Sequence, residues 1–230
     1  MTAAVEARIL RYRPRQRLVH WLGVGTVLTL LVTGLALLWP PLGFIAWGGV
    51  GPLLHRVGAV VFMALPFAYA LLNPRQTAEL LVEIFTYDRE DWAWLKHFPG
   101  YFLGHAVGLP PQGRLNAGQK LHHAGTFLAF ITVSLSGLVL WFLKGSLGAT
   151  WLPVVAMVHD VSMLAVTVLL VGHVYFTFVY DALPAMTTGY VSEEYARLEH
   201  AKWLEELTPA EPAAETPETE EAPAIVVQRA

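Results

Sequence analysis

Residues 152–180 read LPVVAMVHDVSMLAVTVLLVGHVYFTFVY, an apolar run that carries two imidazoles, His159 and His173. They lie 14 positions apart (173 − 159). Fourteen residues of α-helix rise about 21 Å and turn about 1400°, which returns the second ring to within roughly 40° of the first. Ionisable side chains inside a membrane span are costly and mark function by default. One helix therefore offers two stacked metal ligands, one toward each side of a bilayer.

Working outward, the composition supports lipid as the main solvent. The 230-residue chain is 55% hydrophobic and 14% charged, with mean hydropathy +0.47, against about 25% charged residues in soluble domains. Four runs are long enough to cross a hydrocarbon core of about 30 Å: residues 18–38, 52–72, 121–143 and 152–180. The last is long enough to project or tilt. The basic N-terminal stretch precedes a run too long for a secretion signal, so it reads as a retained first span. No cysteine is present, which excludes thiolate-ligated clusters and zinc sites from this chain. Basic residues cluster beside the spans without the stripe that nucleic acid requires.

Positive charge alternates with each crossing. Arg8, Arg11, Arg13, Arg15 and Arg17 precede the first span, and residues 39–51 hold neither Lys nor Arg. Residues 73–120 carry Arg75, Arg89, Lys96, Arg114 and Lys120. Lys144 alone follows the third span, and Arg197, Lys202 and Arg229 follow the fourth. The positive-inside rule then places both termini and the long middle loop in the cytoplasm. This fixes depths: His20 and His173 toward the cytoplasm, His55 and His159 toward the outside.

The depths pair without further assumption, His55 with His159 and His20 with His173. Neutral imidazole is a good iron ligand, and a six-coordinate haem needs two facing nitrogens. The expectation is an all-α, four-helix membrane bundle with two b-type haems, their irons held by His20, His55, His159 and His173. Four unrelated interfacial histidines are the alternative. Gly34, fourteen positions after His20, would let a macrocycle lie against the helix; plain helix packing would also explain it.

The 76–96 segment has apolar residues at helical spacing, reading as a helix or helix pair on the membrane surface or on a partner. Residues 109–120, LPPQGRLNAGQK, read as a shaped turn. Asn116, Gln119 and Lys120, followed by His122 and His123, offer the donors and titratable rings that a quinone site uses; equally, they cap a helix and reach to headgroups. Arg17 and Arg56 are candidates for haem propionates, or ordinary flanking arginines. Ser192 reads as an N-cap opening a helix to about Leu207. Residues 1–207 form one transmembrane domain, and 208–230, rich in Pro, Glu, Ala and Thr, are expected to be a disordered tail.

These pieces together resemble a known family. RYRPRQRLVHW at the first span, RLNAGQK before the third, the His159/His173 pair and TTGYVSEEYARLEHAKW after the fourth are similar to the cytochrome b (gamma) subunits of respiratory formate dehydrogenases. The wider group includes nickel–iron hydrogenase and thiosulfate reductase cytochromes b. The resemblance covers about residues 8–206. It implies two haem b groups with the same four ligands. It also implies a quinone site (menaquinone or ubiquinone) beside the cytoplasmic-side haem, drawing on Asn116, Gly118, Gln119 and His173. His122 and His123 depart from the apolar or aromatic residues expected there. The implied partners are an iron–sulfur (beta) subunit and a molybdenum- or tungsten-containing catalytic subunit, so no formate site and no catalytic residue lies in this chain. The implied location is the bacterial cytoplasmic (inner) membrane, multi-pass. The rival readings are a cytochrome b of a hydrogenase or another molybdoenzyme, and a haem-free membrane anchor. A transporter would be expected to show internal repeats, and none is visible.

Overall fold

The computed structural model describes residues 8–207. Four long helices dominate it: α1 (Pro14–Leu38), α3 (Val50–Leu72), α7 (Ala117–Phe142) and α8 (Gly148–Val179), each long and apolar enough to cross a membrane. They start at most four residues ahead of the expected spans and end within one. Pro14 opens α1 at a position where its missing N–H is no loss. Asn116 caps α7: its side chain accepts from the Gln119 N–H at 2.8 Å, and the Gln119 side chain accepts from the Asn116 N–H at 3.2 Å. The expected turn over 117–120 is thus the first turn of α7. The cause is this reciprocal capping box, which satisfies donors that a helix start leaves orphaned. With 32 residues, α8 is about 48 Å long and must extend past the hydrocarbon.

The helices form two hairpins. α1 packs on α3 across a short connection containing α2 (Gly43–Ala46), and α7 packs on α8. Between hairpins, the Phe62 and Phe130 rings meet at 5.0 Å. Outward faces stay apolar: Leu71 is 82% exposed, Phe67 64% and Val171 64%. Such surfaces are stable only against lipid or a partner. Both connections lie at one end of the bundle, the hairpin end.

The opposite end carries the remaining elements. Of the helix or helix pair expected over 76–96, the structure has the pair, α4 (Pro74–Phe85) and α5 (Arg89–Lys96), separated at Thr86–Asp88; Asp88 accepts from the Asp91 N–H at 2.7 Å and starts α5. Trp94 is buried against α7 and against Tyr101 of α6 (Phe98–Phe102). After α8 come α9 (Leu183–Thr187), α10 (Glu193–Glu199) and α11 (Ala201–Leu207). Ser192 caps α10, accepting from the Tyr195 N–H at 3.1 Å. The helix expected to run on to Leu207 breaks at His200, whose backbone is non-helical because its ring is drawn to the Gly113 carbonyl at 2.9 Å. A short strand β1 (Arg8–Leu10) pairs antiparallel with β2 (Tyr190–Ser192), which clasps the start of the chain to the segment beyond α8. The tail over 208–230 lies outside the described residues.

Candidate functional site

At the hairpin end, the first turns of α3 and the first third of α8 bring His55 and His159 together, ring centres 6.5 Å apart. At the other end, α1 and α8 bring His20 and His173 to 6.2 Å. One metal ion between two facing imidazoles puts the ring centres about 6 Å apart, at about 2 Å per metal–nitrogen bond. Both pairs have that span. Among the described residues no cluster of three or more His, Asp or Glu could hold a metal ion. A pair of imidazoles therefore suits a metal that brings its other donors with it, as an iron porphyrin does.

The hairpin-end pair is oriented by its neighbours. Thr33 gives its hydroxyl hydrogen to the Thr29 carbonyl at 2.7 Å, so at 2.9 Å it can only accept from His55 Nδ1. Ser136 likewise donates to the Thr132 carbonyl at 2.6 Å and stands 3.1 Å from His159 Nδ1. The Val133 carbonyl, also 3.1 Å away, accepts as well. Both Nδ1 atoms thus carry the proton, and both Nε2 atoms keep the lone pair that binds metal. Such orienting partners typify ligand histidines.

Two glycines make room. A Cβ at Gly137 would come 3.0 Å from His159 Cε1, and one at Gly34 would come 3.4 Å from His55 Cε1. Gly34 thus admits the His55 ring from the neighbouring helix. A cavity of about 390 Å³ joins both imidazoles and is walled mainly by aliphatic and aromatic side chains of the four long helices. Arg56, Lys144 and Asp160 are the charged residues of its lining. An apolar slot, two free Nε2 atoms and two cations fit a planar apolar ring that bears carboxylates. Arg17, in contrast, donates to the Thr188 carbonyl at 2.6 Å.

The second pair is built differently. His20 Nδ1 is buried without a hydrogen-bond partner, and His173 is exposed. His122 stacks on His173, ring centres 5.5 Å apart and planes 19° from parallel. His123 turns away, its Nδ1 donating to the Gln119 carbonyl at 2.7 Å.

Beyond this pair, Asn116 is 1% exposed. Its amide donates to Glu199 Oε2 at 3.0 Å, and the Tyr101 hydroxyl donates to the same oxygen at 3.1 Å. A Cβ at Gly118 would lie 2.7 Å from the Trp94 ring, so glycine is what lets α5 close on α7. Lys120 pairs with Asp91 at 2.6 Å. Burial pushes the Glu199 carboxyl above the usual carboxylate range, against the bonds from Tyr101 and Asn116. Burial, with the Arg11 guanidinium beside it, pushes His200 down to about 3. Thr33, Ser136, Gly137, Tyr101 and Glu199 were not singled out from the sequence. Of their signals, only Gly137 was accessible there, as a small residue in an apolar run.

Four apolar spans holding two opposed imidazole pairs define the class, a multi-pass membrane cytochrome b. Residues 11–189 match the family described as prokaryotic cytochrome b561, and the chain belongs to that family, which implies b-type haem. Among curated relatives, it is similar to the formate dehydrogenase cytochrome b556(fdo) subunit of Escherichia coli strain K12, 24% identical over 213 residues, covering 86% of this chain and 93% of the relative. The formate dehydrogenase cytochrome b556 subunit of Haemophilus influenzae is 22% identical over 209 residues, covering 87% and 84%. The nitrate-inducible cytochrome b556(Fdn) subunit of Escherichia coli K12 is 22% identical over 221 residues, covering 91% and 96%. The resemblance to formate dehydrogenase cytochrome b subunits thus extends over most of the chain.

Proposed function

We propose that this chain is the cytochrome b subunit of a formate dehydrogenase-type respiratory complex, passing electrons from an iron–sulfur partner through two b-type haems to the quinone pool. The observation that carries this reading is the pair of opposed imidazole pairs, at two depths, sharing α8. The named functions of the relatives support the choice of complex. The catalytic subunit, holding molybdenum or tungsten, lies beyond the iron–sulfur partner.

Haem, when bound, supplies reversible one-electron storage tuned by its axial ligands and surroundings. His55 and His159 hold one group near the hairpin end, and His20 and His173 the other. Thr33, Ser136 and the Val133 carbonyl keep the first pair in the metal-binding tautomer. Arg56 and Lys144 are placed to neutralise carboxylates in the first cavity. The apolar walls exclude water and so lower the local dielectric. The quinone headgroup would sit beside His173, with Asn116, Gly118 and Gln119 forming the α7 side of its site. Here Asn116 and Gly118 act through packing and capping, since Asn116 is buried and its amide is engaged. The alternating positive charge supports the bacterial inner membrane, with the hairpin end outside and both termini in the cytoplasm.

The deciding experiment is spectroscopy of the purified chain. The expected result is the split visible bands of reduced bis-histidine b haem at two haems per chain, with the cytoplasmic-side haem reducible by a quinol. A colourless chain that still binds its partner would replace this reading with that of a membrane anchor.

A further inference from the structure

Among the described residues, Glu199 is the one carboxylate buried deep in the loop-bearing end without a cation. It is 2% exposed, and among the described residues no Lys or Arg pairs with it. Oε2 accepts from Tyr101 and Asn116 at 3.1 and 3.0 Å. Oε1 is buried and has no partner. An ionised carboxylate in such a place pays a desolvation cost that no counter-charge offsets. A protonated one carries no charge to desolvate, with two donors on Oε2 and the proton on Oε1.

Arg11 stands against the neighbouring His200 and forms no ion pair with Glu199, and the groups that couple directly to the carboxyl are neutral at ordinary pH. They are Tyr101 of α6, Asn116 at the start of α7, Tyr180 at the end of α8 and Tyr195 of α10. Burial raises the carboxyl accordingly. The position relates to the quinone region on two sides. Tyr101 packs on Phe176 at 5.4 Å and stacks on Tyr180 at 4.2 Å, and Phe176 follows His173 by about one turn of α8. On the α7 side, Glu199 is bonded directly to Asn116, while Tyr195 reaches the Gln119 side chain.

We propose that Glu199 is the proton-holding group of the quinone site, releasing the proton on Oε1 toward a reduced quinone oxygen and reloading from the water side. This rests on the quinone reading above. The balance is simple: a quinone takes two electrons, delivered singly through haem from the iron–sulfur donor, and two protons, to give the quinol. Glu199 supplies one proton, becomes a carboxylate, takes a proton from bulk water in exchange, and supplies the second in the same way. In the reverse direction it accepts a proton from the quinol. Groups that work this way have pKa values moved toward the operating pH by burial.

The test uses haem-loaded membranes containing the full chain, with a short-chain naphthoquinol as reductant. Glu199→Gln keeps an acceptor for Tyr101 and Asn116 and removes the exchangeable proton. The expected result is full haem content, haem reduction slowed at least tenfold, and a flattened pH profile, with Glu199→Asp restoring most of the rate. Infrared difference spectra of the wild type at neutral pH should show a protonated-carboxyl band that Glu199→Gln lacks and the exposed control Glu194→Gln retains. A Glu199→Gln variant with wild-type rate and pH profile overturns the proposal. A wild-type spectrum without the band overturns it however the variant folds. A wild type whose haems ignore the naphthoquinol removes the quinone reading itself, and this proposal with it.

Discussion

The two imidazole pairs have nearly the same span and opposite surroundings. At the hairpin end each ring is held by a hydroxyl or carbonyl at Nδ1 and leans on a glycine of the neighbouring helix. At the loop-bearing end His20 lacks any such partner, and His173 shares its space with a third imidazole, His122. A site that only stores an electron benefits from fixed ligands, because every rearrangement slows transfer. A site that also meets a substrate needs a ligand face left open. On the proposed function, the locked layer receives electrons and the open layer delivers them.

The sharpest way to break this contrast is to remove one ligand from each layer. His159→Ala should lose one of two haems and leave quinol reduction of the other intact. His173→Ala should lose the other haem together with the quinol response. Haem-to-protein ratios and stopped-flow reduction read both, and two haems in both variants would end the assignment. Next in size is Gly137→Val. Its side chain would enter the space of the His159 ring, so that haem site should empty by more than half, whereas Gly34→Val, with a looser contact, should lose less. Haem titration into the apo chain compares them.

A smaller effect tests the hydroxyls. Thr33→Val with Ser136→Ala should weaken haem binding at the hairpin end about tenfold, the low end of what orienting partners contribute, because Val133 still offers its carbonyl to His159. His122→Phe should leave both haems in place and alter only the spectrum of the open layer. The smallest effect concerns stability. His200 is held near 3 when folded and titrates near 6.5 when unfolded. Its contribution is therefore complete above about pH 6.5 and declines as pH falls toward 3, by at most about 1.4 kcal/mol per unit. Thermal melts from pH 7 to 5 should show the fall, and His200→Asn, which can still donate to Gly113, should flatten it.

The spans and the four histidines were legible because both signals are one-dimensional. An apolar run reports a crossing, and a ring at a given position along it reports a depth. Charge alternation suggests which rings share a depth, and in the fold the rings so paired lie 6.5 and 6.2 Å apart. Thr33 and Ser136 were invisible, since serine and threonine in a span usually bond back one turn, and these two do so as well; only the neighbouring helix reveals the second role. Glu199 was hidden for a related reason. It stands in SEEYARLEH, where Glu193 and Arg197 form an exposed pair and every acid looks like a solvated helix face. The N-A-G-Q segment, with its glycine and the prolines before it, reads as a turn, although its capping signal is present. Asn followed three residues later by Gln is a capping-box signature, and the helix starts there.

Because α8 contributes a histidine to both layers, the gap between the two sites is set by fourteen peptide units of a single rod. A thicker or thinner bilayer can tilt that rod, and a docking partner can push on its end, but neither changes the separation along it. On the proposed function, the length of the electron's jump is thereby written into covalent geometry, which leaves lipid composition and assembly state free to vary without retuning the wire.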